Sequence, residues 1–188
     1  MTGKRHSLNK AVQSTGTWTT TAPSYEFDGT DDYIDLGADA PTDLTGDLTI
    51  SAWINPSGWG EFGEGRIIDN GKLRFVIYST NNRIRFESVA GVSIYSADNS
   101  ISLNAYQHIL VTRPSAGTNT NIYINGVLSG TPNQNSGTPT GGTTNTTIGS
   151  NAALNRTFDG QISGLKIWNE LLDVSQINYL YSKEKGNY

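Results

Sequence analysis

The sequence predicts an all-β fold, a sandwich or barrel of antiparallel strands. From Tyr25 onward, short segments alternate polar and apolar side chains, and Gly, Asn, Asp and Pro bound them. Convincing helical periodicity occurs only after the last of these segments. Hydrophobic residues make up 35% of the 188 residues, and 21 glycines bring the apolar share close to that of globular domains. One domain of this size can therefore bury a core of its own.

The predicted strands follow one another along the chain from residue 24. They cover residues 24–28, 32–36, 48–54, 65–69, 73–78, 83–88, 92–97, 106–113, 120–126, 145–150 and 158–168. Asn125-Gly126 lies between two apolar segments, and this dipeptide favours the tight turn of a β-hairpin. The alternation within each segment places one face of each strand in the core.

A short helix is predicted over residues 173–183, lying on the edge of the sandwich. Asp173 is suited to cap it, and Gln176 stands at the capping-box position. Leu172 is placed to pack against Ile177, which shares one helix face with Leu180 and Tyr181.

The composition divides the chain into an arm, residues 1–23, and a domain, residues 24–188. The arm is basic, with three positive charges, Lys4, Arg5 and Lys10. Its Ser-, Thr- and Gly-rich stretch around Trp18 is too polar to form a core. The arm is therefore predicted to be extended, either as a loose leader or as an anchor that orders on a partner and buries Trp18.

Charge and composition exclude several classes of protein. The formal net charge of -4 argues against bulk binding of nucleic acid. No apolar stretch is long enough for membrane insertion, and no signal-peptide pattern follows Met1, so export by that route is not expected. The absence of cysteine, with one methionine and two histidines, argues against thiol, haem and zinc chemistry.

Residues 129–147 contain neither a charged nor a large apolar side chain. Such a segment gains little from burial, so it is predicted to be a surface loop. It is either simply low in complexity or makes polar contacts to a sugar or to a neighbouring subunit of a homo-oligomer.

Several blocks together resemble the laminin-G-like, concanavalin A-type lectin and glucanase family. They cover residues 25–37, 48–56, 106–130 and 146–181. The resemblance implies a jelly-roll sandwich of two antiparallel sheets with one short C-terminal helix. It also implies that the first strand pairs near the last, which would bring together the Phe-Asp-Gly sequences at 27–29 and 158–160.

The family includes glycoside hydrolases, which need two carboxyl groups held close together. Glu61 and Glu64 lie in a glycine-rich stretch, and Glu87 and Asp98 stand alone. His108 is a lone strand histidine, predicted to be a hydrogen-bonded structural residue rather than a base. The sequence therefore predicts a protein that is not an enzyme.

A structural calcium ion is the one cofactor that the sequence supports. Asp28, Asp31 and Asp32 offer hard oxygen ligands near the first strand, with Asp159 in the second Phe-Asp-Gly sequence. The resemblance also implies an aspartate in the final strand, where this chain has Ser163. The alternative is that these aspartates only accept backbone N–H groups in turns.

Aromatic residues supply a second candidate site. Trp53 alternates with apolar residues and is predicted to lie in the core, whereas Trp59 and Phe62 lie among glycines. The pair either forms an exposed carbohydrate-binding edge or folds back to plug one end of the sandwich.

Two functions follow as hypotheses. The first is a non-catalytic virion surface protein, a phage capsid decoration or a tail or fibre component, anchored to other virion proteins through Lys4, Arg5, Lys10 and Trp18. The second is an extracellular carbohydrate-binding lectin module that meets cell-surface glycans through Trp59 and Phe62.

Overall fold

The computed structural model describes residues 23–37 and 45–188, which form two six-stranded antiparallel sheets. The first sheet has the order β1-β12-β3-β8-β9-β10, and the second has the order β2-β11-β4-β5-β6-β7. In chain order, the strands are β1 (Ser24–Asp28), β2 (Ile34–Gly37), β3 (Leu48–Pro56), β4 (Arg66–Asp69), β5 (Arg74–Tyr78), β6 (Arg83–Glu87), β7 (Ser93–Tyr95), β8 (Gln107–Arg113), β9 (Asn121–Ile124), β10 (Val127–Leu128), β11 (Thr146–Ile148) and β12 (Asp159–Trp168). The predicted all-β sandwich is confirmed.

The hydrophobic core lies between the two sheets because alternate side chains of facing strands point inward. On β3, Ile50, Ala52 and Ile54 are fully buried in this core, and on β5 Phe75 and Ile77 are. The intervening residues face away from the core, so each sheet has an outer face of its own.

The first and last strands pair as the resemblance implies. In the β1–β12 ladder, Phe27 lies opposite Gly160 and Asp28 lies opposite Asp159. The two Phe-Asp-Gly sequences are therefore neighbours at the end of the first sheet, and the rings of Phe27 and Phe158 meet edge to face, with centroids 6.3 Å apart.

The predicted hairpin is also present. Asn125 (φ 52) and Gly126 (φ 78) connect β9 to β10. Both central residues of this two-residue turn need a positive φ, which Asn and Gly adopt more readily than other residues.

The helix α1 runs over Val174–Glu184, and Asp173 and Gln176 form the predicted capping box. Its position differs from the prediction, since it lies on the outer face of the first sheet rather than on the sandwich edge. Ile177 packs against Leu110 of β8 and Tyr123 of β9, because outward-facing apolar residues on these strands need cover.

The position of Trp53 also differs from the prediction. It is buried, but its ring lies on the outer face under the C-terminal segment, outside the core between the sheets. The ring stacks on Tyr188 at a centroid distance of 4.4 Å and on Tyr181 at 5.8 Å. Its indole Nε1 donates to Glu184, so the helix satisfies the polar atom that burial would otherwise isolate.

The polar segment predicted as a loop is shorter than expected, because Thr146 and Thr147 belong to β11. The first half of this segment also packs against the sandwich, since Ser136 is fully buried. The amide of Gln134 accepts from the Tyr95 N–H and donates to the Tyr95 carbonyl, so it covers the outer edge of β7.

Within the described parts of the chain, no helix is both long and apolar enough to cross a membrane.

Candidate functional site

The acidic turn after β1 brings three predicted metal ligands together. Carboxylate oxygens of Asp28, Asp31 and Asp32 lie within 4.8 Å of one another. The same carboxylates hold the turn, since Asp28 accepts from the Thr30 N–H and Asp32 accepts from the Asp28 N–H. The two alternatives drawn from the sequence are therefore compatible, and the oxygen-rich set fits a hard cation such as calcium.

Asp159 is not part of that three-carboxylate group. It lies opposite Asp28 in the β1–β12 ladder, and its side chain packs close to Gly29 and Gly58. Partial burial raises the pKa of Asp159, and the neighbouring charge of Asp28 raises it further.

The glycine-rich stretch between β3 and β4 separates the two predicted aromatic ligands. Trp59 is half-buried and packs against the core, so it plugs the end of the sandwich and is not an exposed platform. Phe62 is 79% exposed and lies in the 3-10 turn Glu61–Gly63 with a φ of 54. A positive φ is uncommon for a bulky residue, and such strained positions cluster at functional sites.

The surroundings of Phe62 hold it in place. Gly60 has a φ of 71, and a β-carbon there would overlap the carbonyl oxygen of Thr157. The guanidinium carbon of Arg156 lies 4.5 Å from the centre of the Phe62 ring. Phe62 is therefore an exposed ring with an oriented cation beside it.

Arg156 joins this ring to a charged surface on the outer face of the second sheet. We call it the arginine face; it consists of five arginines, their four carboxylate partners and two tyrosines: Arg66, Arg74, Arg83, Arg85, Arg156, Glu64, Asp69, Glu87, Asp98, Tyr78 and Tyr95. The strand register explains the assembly, because Arg85 lies between Val76 and Tyr95, and Arg74 lies between Asp69 and Glu87.

Glu64 is the centre of the ion pairs on this face. It lies 2.9 Å from Arg85 Nη1, 3.2 Å from Arg156 Nε and 3.5 Å from Arg66 Nη1. Burial raises the pKa of Glu64, but these guanidinium groups outweigh it and hold the pKa below its usual value.

For the more buried residues of the arginine face, burial shifts the pKa more than the neighbouring charges do. The pKa of Asp69 is raised by burial, although Arg66 lies 2.8 Å away. Burial likewise lowers the pKa of Arg66. Buried charges of this kind are costly compared with apolar residues of similar size, so their place on an outer sheet face suggests a use beyond stability.

The same face brings together two carboxylates that look unrelated in the sequence. Glu64 and Glu87 both contact Arg85, through Nη1 at 2.9 Å and Nε at 3.5 Å. A glycosidase needs one carboxyl group with a raised pKa as its general acid. The lowered pKa of Glu64 does not suit it to be that general acid.

His108 lies far from this face, under α1 on the first sheet. Its ring is fully buried, 5.2 Å from the Trp53 ring by centroids. Its backbone N–H donates to Asn125, but neither ring nitrogen has a hydrogen-bond partner among residues 23–37 and 45–188. The expected hydrogen-bonded side chain is therefore wrong, and burial lowers the pKa of His108 to about 4.

The predicted partner-binding residues Lys4, Arg5, Lys10 and Trp18 lie outside the described residues. Sequence reasoning missed the arginine face. The available signal was the alternation of Arg83, Arg85 and Glu87 with the core residues Ile84 and Phe86 on one strand.

Comparisons with known proteins agree with this architecture. Residues 28–178 match the family model described as the concanavalin A-like lectin/glucanases superfamily. No curated protein matches the chain.

Among solved structures, a SAP-like pentraxin from Limulus polyphemus is 16% identical, with a TM-score of 0.60 over 88% of this chain and 84% of that one. A candidate carbohydrate-binding protein from Bacteroides ovatus is 17% identical, with a TM-score of 0.65 over 85% of this chain and 46% of that one. The binding domain of botulinum neurotoxin serotype D is 18% identical, with a TM-score of 0.62 over 86% of this chain and 43% of that one.

These likenesses are similarities of fold, and this chain spans less than half of the second and third structures. The match over residues 28–178 covers most of the sequence and extends from the last residue of β1 into α1. The chain therefore belongs to the concanavalin A-like lectin/glucanase superfamily.

Proposed function

We propose that this chain is a non-catalytic recognition domain that binds a glycan at the border between Phe62 and the arginine face. The observation that carries the proposal is the exposed Phe62 ring, strained at a positive φ beside Arg156. Aromatic rings bind the apolar faces of sugars, while neighbouring guanidinium and carboxylate groups bind hydroxyls.

The lowered pKa of Glu64 suits a binding role, because this carboxyl group stays ionised beside three arginines and can accept hydrogen bonds from a ligand. The similarity to the Bacteroides ovatus protein and to the toxin binding domain is consistent with recognition, but it is a similarity of fold.

A glycan array followed by calorimetry on any sugar that binds tests this proposal. Phe62→Ala is expected to weaken binding about tenfold or more, since loss of an aromatic anchor costs on the order of 1–2 kcal/mol. Tyr179→Ala is the matched control, because Tyr179 is 66% exposed on α1, on the other sheet. Binding that both variants retain, or the absence of binding to any glycan, contradicts the proposal.

We also propose that the domain is displayed on a virion through its arm, with cell-surface glycans as its targets. The chain enters the described domain at Pro23, whose carbonyl accepts from Ser163 Oγ on the first sheet. The arginine face is on the second sheet, so the proposed attachment point and this face belong to different sheets. The composition of the arm, with three basic residues and Trp18, supports attachment to a partner.

Attachment is tested on particles that carry the protein. Trp18→Ala is expected to release it at all ionic strengths, whereas neutralising Lys4, Arg5 and Lys10 weakens attachment mainly at low salt. Full retention after removal of the arm contradicts this proposal and leaves glycan binding as the function of a free extracellular module.

A further inference from the structure

The distribution of arginine in the chain is uneven. Beyond residue 5 the sequence has six arginines, and five of them belong to the arginine face. The sixth, Arg113, is fully buried elsewhere. A chain with a formal net charge of -4 thus collects most of its guanidinium groups on one surface.

The face holds more donors than acceptors. Five guanidinium groups share four carboxylates, those of Glu64, Asp69, Glu87 and Asp98. Of the buried N–H groups, Arg66 Nη1 and the Nε atoms of Arg74, Arg83 and Arg85 make no hydrogen bond within the described chain. Three of these atoms, those of Arg66, Arg74 and Arg85, do lie 3.5, 3.8 and 3.5 Å from a carboxylate oxygen. A surplus of guanidinium donors favours an anion over a neutral group.

Three of these arginines are accessible. The side chains of Arg74 and Arg156 are 29% exposed, and that of Arg83 is 20% exposed. Arg74 Nη1 donates to Glu87, and Arg83 Nη1 donates to Asp98. Arg156 Nη1 donates to the carbonyl oxygen of Asn155. None of the hydrogen bonds that these three arginines make within the described residues uses Nη2, so each keeps a donor for a ligand.

The two tyrosines hold guanidinium groups in place. Arg83 lies 3.9 Å from the centre of the Tyr95 ring, and Arg85 lies 4.7 Å from that of Tyr78. Stacking restricts the long side chains, which reduces the entropy that a ligand must remove. The half-buried tyrosine rings also add apolar surface beside the charges.

From these observations we infer that the ligand is an acidic saccharide. Its carboxylate or sulfate groups accept from Arg74, Arg83 and Arg156, and its sugar ring lies against Phe62. Arg74 and Arg83 stand at opposite ends of the β5–β6 ladder, so separate acidic groups of the ligand reach them. This inference rests on the proposed glycan binding and adds the charge of the ligand to it. Arginine suits both anions because its planar fork donates two parallel hydrogen bonds.

The test uses sets of oligosaccharides that share a backbone and differ only in carrying no charge, a carboxylate or a sulfate. The full chain is expected to bind an acidic member at least tenfold more tightly than its neutral counterpart. Affinity for the acidic oligosaccharides should fall as the salt concentration rises. Comparison of the carboxylated with the sulfated oligosaccharides identifies which anion is preferred. Arg74→Gln, Arg83→Gln and Arg156→Gln should each weaken acidic binding about three- to tenfold.

Lys183→Gln, on α1, is the control for the loss of one positive charge, and it should leave binding unchanged. Arg156→Lys keeps the charge without the fork, so it should recover only part of the affinity. Melting temperatures of all variants separate loss of the site from loss of the fold.

Equal binding of neutral and acidic members, still dependent on Phe62, overturns this inference while the proposed function stands. Binding of inorganic sulfate, or of any polyanion regardless of its sugar, without saccharide preference overturns both.

Discussion

His108 is an uncharged imidazole enclosed by the outer face of the first sheet and by α1. Glu184 and Lys166 are the charged groups near it, and they form an ion pair with each other. Glu184 raises the pKa of His108 and Lys166 lowers it, but burial is the largest effect and brings the pKa from 6.5 to about 4. Protonation of His108 therefore opposes the packing of α1.

Stability should consequently depend on pH in a defined window. Between pH 6.5 and about 4 the unfolded chain binds a proton at His108 that the folded chain does not, so the free energy of unfolding decreases as the pH falls. The shift corresponds to a loss of about 3 kcal/mol across the window. Urea denaturation at a series of pH values measures it.

His108→Leu should remove most of this slope in the upper part of the window, from pH 6.5 to about 5.5, where ordinary carboxyl groups are still ionised. His6→Gln, which changes the other histidine of the chain, is the control and should keep the slope. A slope of equal size in His108→Leu would assign the pH dependence to other groups.

The acidic turn makes a second prediction for individual residues. A calcium ion at Asp28, Asp31 and Asp32 would offset the repulsion of three close carboxylates and stabilise only the folded state. Millimolar calcium is expected to raise the melting temperature relative to EDTA by about 2–4 °C for each kcal/mol of binding energy gained.

Asp31→Asn should lose that gain, whereas Asp35→Asn should retain it. Asp35 caps the nearby Gly37 N–H and is not in the three-carboxylate group. Identical melting curves in EDTA and in calcium would show that these aspartates serve only the turn.

Among the elements, α1 is a short helix whose stability depends on its cap and on the sheet beneath it. The Asp173 side chain accepts from the Gln176 N–H at 2.8 Å, and the Gln176 side chain accepts from the Asp173 N–H at 2.8 Å. Ile177 is its one buried residue, and Tyr181 and Glu184 contact Trp53, so the cap and these sheet contacts hold the helix together.

Asp173→Ala should therefore lower the free energy of unfolding by about 1 kcal/mol. Asp173→Asn should retain most of that energy, since an amide oxygen still accepts the Gln176 N–H. The denaturation midpoint measures both, and Trp53 fluorescence reports whether the ring under the C-terminal segment becomes exposed. Equal midpoints for wild type and Asp173→Ala would mean that packing alone fixes the helix.

At the scale of the whole molecule, the two sheets differ in what lies on their outer faces. The first is covered by α1 and by Tyr188, whereas the second presents the arginine face. The core between them is assembled from residues of the domain, from Phe27 to Ile162. Folding of the sandwich should thus be independent of the arm.

Removal of residues 1–22 tests that independence and keeps Pro23, which accepts from Ser163. The melting temperature is expected to change by less than about 5 °C, which for a domain of this size is on the order of 1–2 kcal/mol. A larger decrease, with Trp18→Ala in the full chain reproducing it, would show that the arm packs on the sandwich.

Much of this architecture followed from local patterns in the sequence. Alternation with period two located the strands, Asn125-Gly126 located the hairpin, and Asp173 with Gln176 located the helix start, because each depends on neighbours within a few residues. The resemblance added the pairing of β1 with β12, which no local pattern specifies.

The tertiary structure alone decided which outward-facing residues meet. Glu64 precedes β4, Arg85 belongs to β6 and Arg156 precedes β12, yet sheet register and loop closure bring them into one ion-pair network. Trp53 was misplaced for the same reason, since alternation along a strand does not show which of its two faces another element covers. Long-range contacts of this kind depend on strand order, and strand order is a property of the whole fold.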